Sequence, residues 1–301
     1  MENKEIAFSG KIHRDIQYAT ALNFKGEEEK LGLDIYIPPS NILKAENPFI
    51  LFIHGGGFLK GDKSTTGNFC KYLSNKGFVV ASIDYRLGWP MDKGEDPCES
   101  ADSIAAIKAF YRAQQDAQTA LRFISSNASK YAIDTSWIFV AGSSAGGIST
   151  LGMVYFSQQI ADQMYPFASA ALGNLNEAGN NLKATYHIKA IASMWGALNT
   201  PFLIKPQNAV PTVFFHGEKD KVVPFDIEHF HSCENYPVDY GSKPLYERMV
   251  ELNVPAEAFI DPEGGHGVYS DKFRAEKISE FFKGVMTKNY QTGYFVVESD
   301  E

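Results

Sequence analysis

Short apolar runs recur along the chain, and segments of helical periodicity fill the gaps between them. The first two runs alternate apolar and polar positions. QYATALNF (17–24) does so weakly; LGLDIYIP (31–38) does so clearly, with Leu31, Leu33, Ile35 and Ile37 on one face. They predict an opening antiparallel pair. The later runs are continuous: FILFIHGGG (49–57), FVVASIDYR (78–86), WIFVAGS (137–143), HIKAIASMWG (187–196), TVFFHGEKD (212–220) and VPAEAFIDP (254–262). Continuous apolar strands are buried on both faces, which is the habit of parallel sheets.

Helical patterns lie between these strands. NFCKYLSNKG (68–77) stops at a glycine, GISTLGMVYFSQQI follows VAGSSAGG, and DKFRAEKISEFFKGVMTKN (271–289) closes the pattern. The longest covers 100–131, as one bent helix or two, with Ala113, Ala117, Leu121 and Ile124 at helical spacing. Alternating strands and helices predict a single α/β domain over 1–301, with a mostly parallel central sheet and helices on both faces. Residues 158–187 break the rhythm. They read either as a small lid inserted over the sheet or as an ordinary surface excursion. The tail TGYFVVESDE carries no assignment.

In such sheets, chemistry collects at the C-terminal ends of the strands. Here those ends carry HGGGF, DYR, GSSAGG, HGEKD and EGGHG. In VAGSSAGG, Gly142, Ser144 and Gly146 fit Gly-x-Ser-x-Gly between a strand and a helix, which is the setting of a nucleophile elbow. The turn is sharp, so the positions two residues away must lack bulk. Centred on Ser143 instead, the frame would hold Ala141 and Ala145, which lack glycine's conformational freedom. Ser144 is therefore the expected nucleophile and Ser143 its neighbour.

The glycines of HGGGF let backbone N–H groups crowd a ligand oxygen. Each donor fixed in advance lowers an acyl-transfer barrier by about 3–4 kcal/mol. Gly56, Gly57 and Ala145 are the expected donors, with Gly55 as the alternative register and His54 as a structural support. The triplet lacks the lysine of a P-loop, which argues against phosphate binding. Of seven histidines, His266 sits in a glycine-flanked loop after the last predicted strand and is the expected base. Asp220, past the preceding strand, is its expected carboxylate, with Glu218 and Asp226 as alternatives. His229, His231 and Cys233, near Glu228 and Glu234, match no established zinc spacing and read as a polar loop at a pocket mouth, so no metal is expected. Phe58, Tyr85, Ser143 and Trp195 are candidate pocket residues; Tyr85 and Trp195 read equally well as packing.

Composition narrows the classes. A net charge of −8 argues against nucleic-acid binding, and no apolar run reaches membrane-spanning length. The opening MENKEIAFSGKIHRD lacks a signal-peptide pattern, which leaves a cytoplasmic protein or a secreted one whose signal has been removed. The absence of a CxxC pair argues against a structural zinc site, and the odd count of three cysteines favours reduced thiols, with one disulfide and one free thiol as the alternative.

Together HGGGF, GSSAG, HGEKDKVVP and EGGHG resemble the α/β-hydrolase superfamily, and within it the HGGG carboxylesterase/lipase group that includes acetyl esterases. The resemblance runs from about residue 30 to 288. It implies an α/β-hydrolase fold with about eight strands, a Ser144–His266–Asp220 triad and no cofactor. It also implies hydrolysis of small-molecule carboxylic esters through an acyl-enzyme; short acyl chains are expected because no long apolar lid is evident in the sequence. Amidase or peptidase action on the same scaffold and a non-catalytic ligand receptor are the rivals. The chain departs from the pattern by lacking a substantial helical cap before HGGG, which leaves the 158–187 segment as the alternative pocket wall.

Overall fold

The alternating runs pair, and the continuous runs stack between them. The computed structural model describes residues 6–89, 98 and 102–299. Strands β1 (Lys11–Leu22) and β2 (Glu28–Ile37) form the antiparallel pair. They are followed by β3 (Asn47–Ile53), β4 (Val79–Ile83), β5 (Ile133–Ser143), β6 (Ile188–Met194), β7 (Thr212–Gly217), β8 (Ile227–His229), β9 (Val238–Tyr240), β10 (Ala256–Asp261) and β11 (Gly293–Val296). Nine of them form one sheet in the order β1-β2-β4-β3-β5-β6-β7-β10-β11, parallel from β4 onward.

Strand periodicity divides the core. On β3, Phe49, Leu51 and Ile53 enter one apolar layer and Ile50 and Phe52 the other. The first layer also takes residues of α2 (Ser103–Ser126) and α3 (Ala145–Tyr155). The second takes α1 (Gly67–Asn75) and α7 (Asp271–Thr287), whose Phe282 stacks on Phe139 at 4.3 Å. Helices on both faces explain why the central strands carry no polar alternation.

Several elements differ from the sequence pattern or refine it. The 100–131 pattern is one helix, α2, followed by a short 3₁₀ turn at Ala128–Tyr131; Ser100 and Ala101 lie outside the described residues. Asp102 caps it, its carboxylate accepting from the Ala105 amide at 3.0 Å. Within 158–187, two short helices form, α4 (Gln158–Met164) and α5 (Pro166–Leu172). The chain beyond them is tied to α2: Arg122 donates to the Ala178 carbonyl at 2.7 Å and Tyr111 to the Gly173 carbonyl at 2.7 Å. The tail supplies a ninth sheet strand, β11, at an exposed edge, held where Asp261 accepts from the Ser299 amide at 3.0 Å. Helix α6 (Ser242–Glu251) packs beside β10.

The cysteine expectation is corrected. Cys98 and Cys233 form a disulfide with Cα atoms 5.2 Å apart, and Cys70 is a buried free thiol. The partners are 135 residues apart in sequence, and only the fold brings their loops together. The stretch that reads as a polar loop also contains a small antiparallel ribbon, with β8 paired to β9. Among the described residues, no helix is long and apolar enough to cross a membrane.

Candidate active site

The strand β5 and the helix α3 meet at Ser144, whose backbone is held at φ 55°, ψ −122°. That is a costly conformation for a side chain-bearing residue, and it persists only where its surroundings impose it. The Ser144 amide donates to the Met194 carbonyl at 2.9 Å, and its carbonyl accepts from the Ile148 amide at 2.9 Å. The flanking glycines leave no room for a Cβ. At Gly146 one would lie 2.0 Å from the Ile53 oxygen and 2.7 Å from the His54 oxygen; at Gly142 one would lie 2.2 Å from the Gly146 oxygen. These obstacles are backbone atoms, so rotamer changes do not relieve them. Gly146→Ala is therefore expected to lower unfolding free energy by about 3 kcal/mol or more, read from a shifted urea midpoint. A midpoint matching the wild type would contradict this packing.

The elbow aims Ser144 at a histidine. Ser144 Oγ lies 2.9 Å from His266 Nε2, and His266 Nδ1 lies 2.8 Å from Asp220 Oδ2. With its proton on Nδ1, His266 donates to Asp220 and leaves Nε2 to accept from the serine hydroxyl. Asp220 is buried, and its other oxygen accepts from the Val222 and Val223 amides at 2.8 and 3.1 Å. Burial works against its ionisation, but hydrogen bonds from His216 and His266 outweigh that and hold the carboxyl well below the usual carboxylate range. The alternatives lie elsewhere: Glu218 is exposed, and Asp226 pairs with Lys243.

His216 went unassigned in the sequence. It is fully buried at the end of β7, with Nδ1 2.8 Å from Ser242 Oγ and Nε2 3.3 Å from Asp220 Oδ2. It meets the same Asp220 oxygen that His266 engages, so two imidazoles converge on Oδ2. Nothing in the run TVFFHG separates this histidine from a strand-end polar residue, so its role needed the fold.

The Gly55–Gly57 loop passes directly over the serine. A Cβ on Gly55 would lie 3.2 Å from Ser144 Cβ, and Gly56 and Gly57 take φ of 113° and 64°. Ala145 opens α3, so its amide has no partner within the helix. Beneath the loop, His54 stacks on Tyr85 at 4.3 Å. The Tyr85 hydroxyl donates to the His54 carbonyl at 3.0 Å, and burial lowers the His54 pKa. Tyr85 therefore braces the loop and does not belong to the described cavity wall.

Trp195 also packs rather than lining that cavity. Its ring meets His266 edge-on at 6.1 Å, and the Arg274 guanidinium lies 4.9 Å from its centre. Ser143 ends β5 opposite Met194, outside the described cavity wall. Phe58 does line the cavity, an apolar space of about 90 Å³ beside Gly57 and the Ile148 turn of α3, with Phe110, Phe156 and Tyr165 among its walls. Tyr165 belongs to the 158–187 segment, which thus contributes to the wall.

The His229–Cys233 region is engaged otherwise. His229 Nδ1 lies 2.6 Å from the Tyr236 carbonyl oxygen, and Cys233 is in the disulfide. Among the described residues, no group of three or more His, Cys, Asp or Glu side chains is placed to hold a metal ion.

Comparison with known proteins places this geometry in a family. The family model described as BD-FAE matches residues 33–203. Esterase LipI of Mycobacterium tuberculosis is 33% identical over 137 residues, which cover 45% of this chain and 37% of that protein. Carboxylesterase 1C of Mus musculus is 28% identical over 180 residues, covering 57% of this chain and 30% of that protein. The chain thus spans about a third of the length of these curated relatives. Among solved structures, a truncated carbohydrate esterase from gut microbiota is 18% identical, with 93% and 97% of the two chains covered and a TM-score of 0.61. Thermogutta terrifontis esterase 2 phosphorylated by paraoxon is 18% identical, with 94% and 95% covered and a TM-score of 0.59. At that identity the structural likeness carries the fold, while the match over 33–203 carries the family. The chain belongs to the BD-FAE family, an esterase/lipase-type family of the α/β-hydrolase fold.

Proposed function

We propose that this protein is a serine carboxylesterase of the HGGG type acting on small carboxylic esters. The observation that carries the reading is the unbroken hydrogen-bond chain from Ser144 through His266 to Asp220, set under a glycine loop. Ser144 Oγ attacks the ester carbonyl while His266 Nε2 takes its proton. The carbonyl π electrons move onto oxygen, and the amides of Gly56, Gly57 and Ala145 are the proposed donors to that oxyanion. Collapse of the intermediate expels the alkoxide, which His266 protonates as it leaves. Water, deprotonated by His266, then attacks the acyl-enzyme, and the second collapse returns the proton to Ser144. Asp220 stays ionised throughout, fixing the imidazole tautomer and stabilising the imidazolium.

The 158–187 segment forms two short helices, α4 and α5, and not a long apolar lid, which supports a preference for short acyl groups. In a series of p-nitrophenyl esters, kcat/KM is expected to peak between acetate and butyrate and to fall about tenfold or more by octanoate. The matched anilides should turn over far more slowly than the esters. Anilide hydrolysis as fast as ester hydrolysis would favour the amidase reading instead.

A further inference from the structure

The cavity beside the oxyanion loop contains one group that ester hydrolysis does not use. Asp239, on β9, lines it together with the Asn199 side chain. The Asn199 amide Nδ2 reaches Asp239 Oδ1 at 3.5 Å, a long contact for a carboxylate. Among the described lining residues Asp239 is the only one with a charged form at neutral pH, and the remaining wall is largely aromatic. Trp89, Phe230 and Tyr236 meet edge to face, at 6.4 Å for Trp89–Tyr236 and 5.4 Å for Phe230–Tyr236. Tyr165 also lines the space. The Trp89 indole donates to the Gly57 carbonyl at 3.3 Å, so this aromatic corner is anchored to the loop over Ser144.

A lone carboxylate among aromatic faces has an electrostatic preference. Ring faces are negative and attract cations, most strongly when water is excluded. An anionic group would meet the Asp239 carboxylate directly, with no Lys or Arg among the described lining residues to offset it. A neutral alkyl group would cover the partly buried carboxylate and leave it only the long Asn199 contact, which is costly. Burial pushes the Asp239 carboxyl up to about 7, against the opposing pull of His229. A trimethylammonium group has few heavy atoms and fits a space of about 90 Å³.

We propose that this cavity is a cation subsite, in which Asp239 and the aromatic rings around it select esters bearing an alkylammonium group. The inference rests on the esterase reading, since it names the substrates of that same site. Choline and 3,3-dimethylbutan-1-ol have nearly the same shape and share a hydroxyl, but only choline is charged. Each is tested as a competitive inhibitor of p-nitrophenyl acetate hydrolysis at about pH 8, where the carboxylate is ionised. In the wild type, choline should bind about tenfold more tightly than the neutral alcohol, a difference carried mainly by pairing of its charge with the Asp239 carboxylate beside the rings. In Asp239→Asn the two constants should come within about twofold of each other. Equal inhibition in the wild type, or a choline preference that survives in Asp239→Asn, overturns the proposal.

Should Asp239→Asn fail to fold, the wild type alone still decides. The 3,3-dimethylbutyrate anion should then be the weakest of the three ligands, and an anion that binds as well as choline overturns the cation subsite. Calorimetric titration of Ser144→Ala with choline and the alcohol reads the subsite without turnover. Loss of the esterase reading and loss of the subsite are thereby separate results.

Discussion

Ser144→Ala is expected to lower kcat on p-nitrophenyl acetate by about 10⁴-fold or more, with little change in thermal unfolding. The hydroxyl touches the imidazole of His266 and nothing else in the core needs it; the elbow is held by backbone bonds to Met194 and Ile148 that alanine keeps. Alanine also inherits the φ of 55°, so the unfavourable conformation is unchanged in kind. Ser143→Ala is the matched control: it removes a hydroxyl one residue away that makes no bond to His266, so its loss should be far smaller. Retained hydrolysis in a folded Ser144→Ala protein, or an equal loss in Ser143→Ala, would contradict the assignment.

Asp220→Asn is expected to cost about 10⁴-fold in kcat while keeping the overall fold. An amide at this position can present its NH₂ to His266 Nδ1, which favours the tautomer with the proton on Nε2. That proton faces Ser144 Oγ and leaves the hydroxyl without a base. The substitution also removes a charge that two histidines and two backbone amides satisfy. The stability effect has a definite sign. The folded-state pKa of Asp220 is depressed, so its contribution is fully present above the unfolded carboxyl value of about 3.9 and fades as pH falls through the lower folded value. Wild type should therefore exceed Asp220→Asn in stability at neutral pH, and the gap should close in strong acid. Urea titrations at neutral and strongly acidic pH check this, and a gap that widens on acidification would contradict it.

Much of the fold was legible because the parallel core writes itself into sequence. FILFI, FVVASI and WIFVAG can be buried on both faces only in a covered sheet, and the structure packs alternate residues of β3 into two layers. The tail strand β11 was not legible: its Tyr294, Phe295 and Val296 are exposed at an edge, so no buried pattern marks them. The β8–β9 ribbon spans three residues a side, too few for a period to emerge.

The site divides in the same way. Ser144, Asp220 and His266 stand out because each follows a predicted strand, Ser144 and His266 among glycines and Asp220 by its place one strand before the histidine loop, and the fold brings them into contact. Groups that act through tertiary contact left no local trace. Tyr85 was a pocket candidate from its strand-end position, yet its hydroxyl turns inward to the His54 carbonyl. Trp195 was another, yet Arg274, 79 residues further along, covers its ring. His216 and Asp239 sit among ordinary polar residues in sequence and gain meaning only from the carboxylate and the cavity they face.

The nucleophile can be read out by treatment with a fluorophosphonate followed by peptide mapping by mass spectrometry. One adduct per chain is expected, located on Ser144 within VAGSSAGG, with esterase activity lost in proportion to labelling. An active esterase that carries its adduct on Ser143, or that remains fully active with Ser144 labelled, would contradict it.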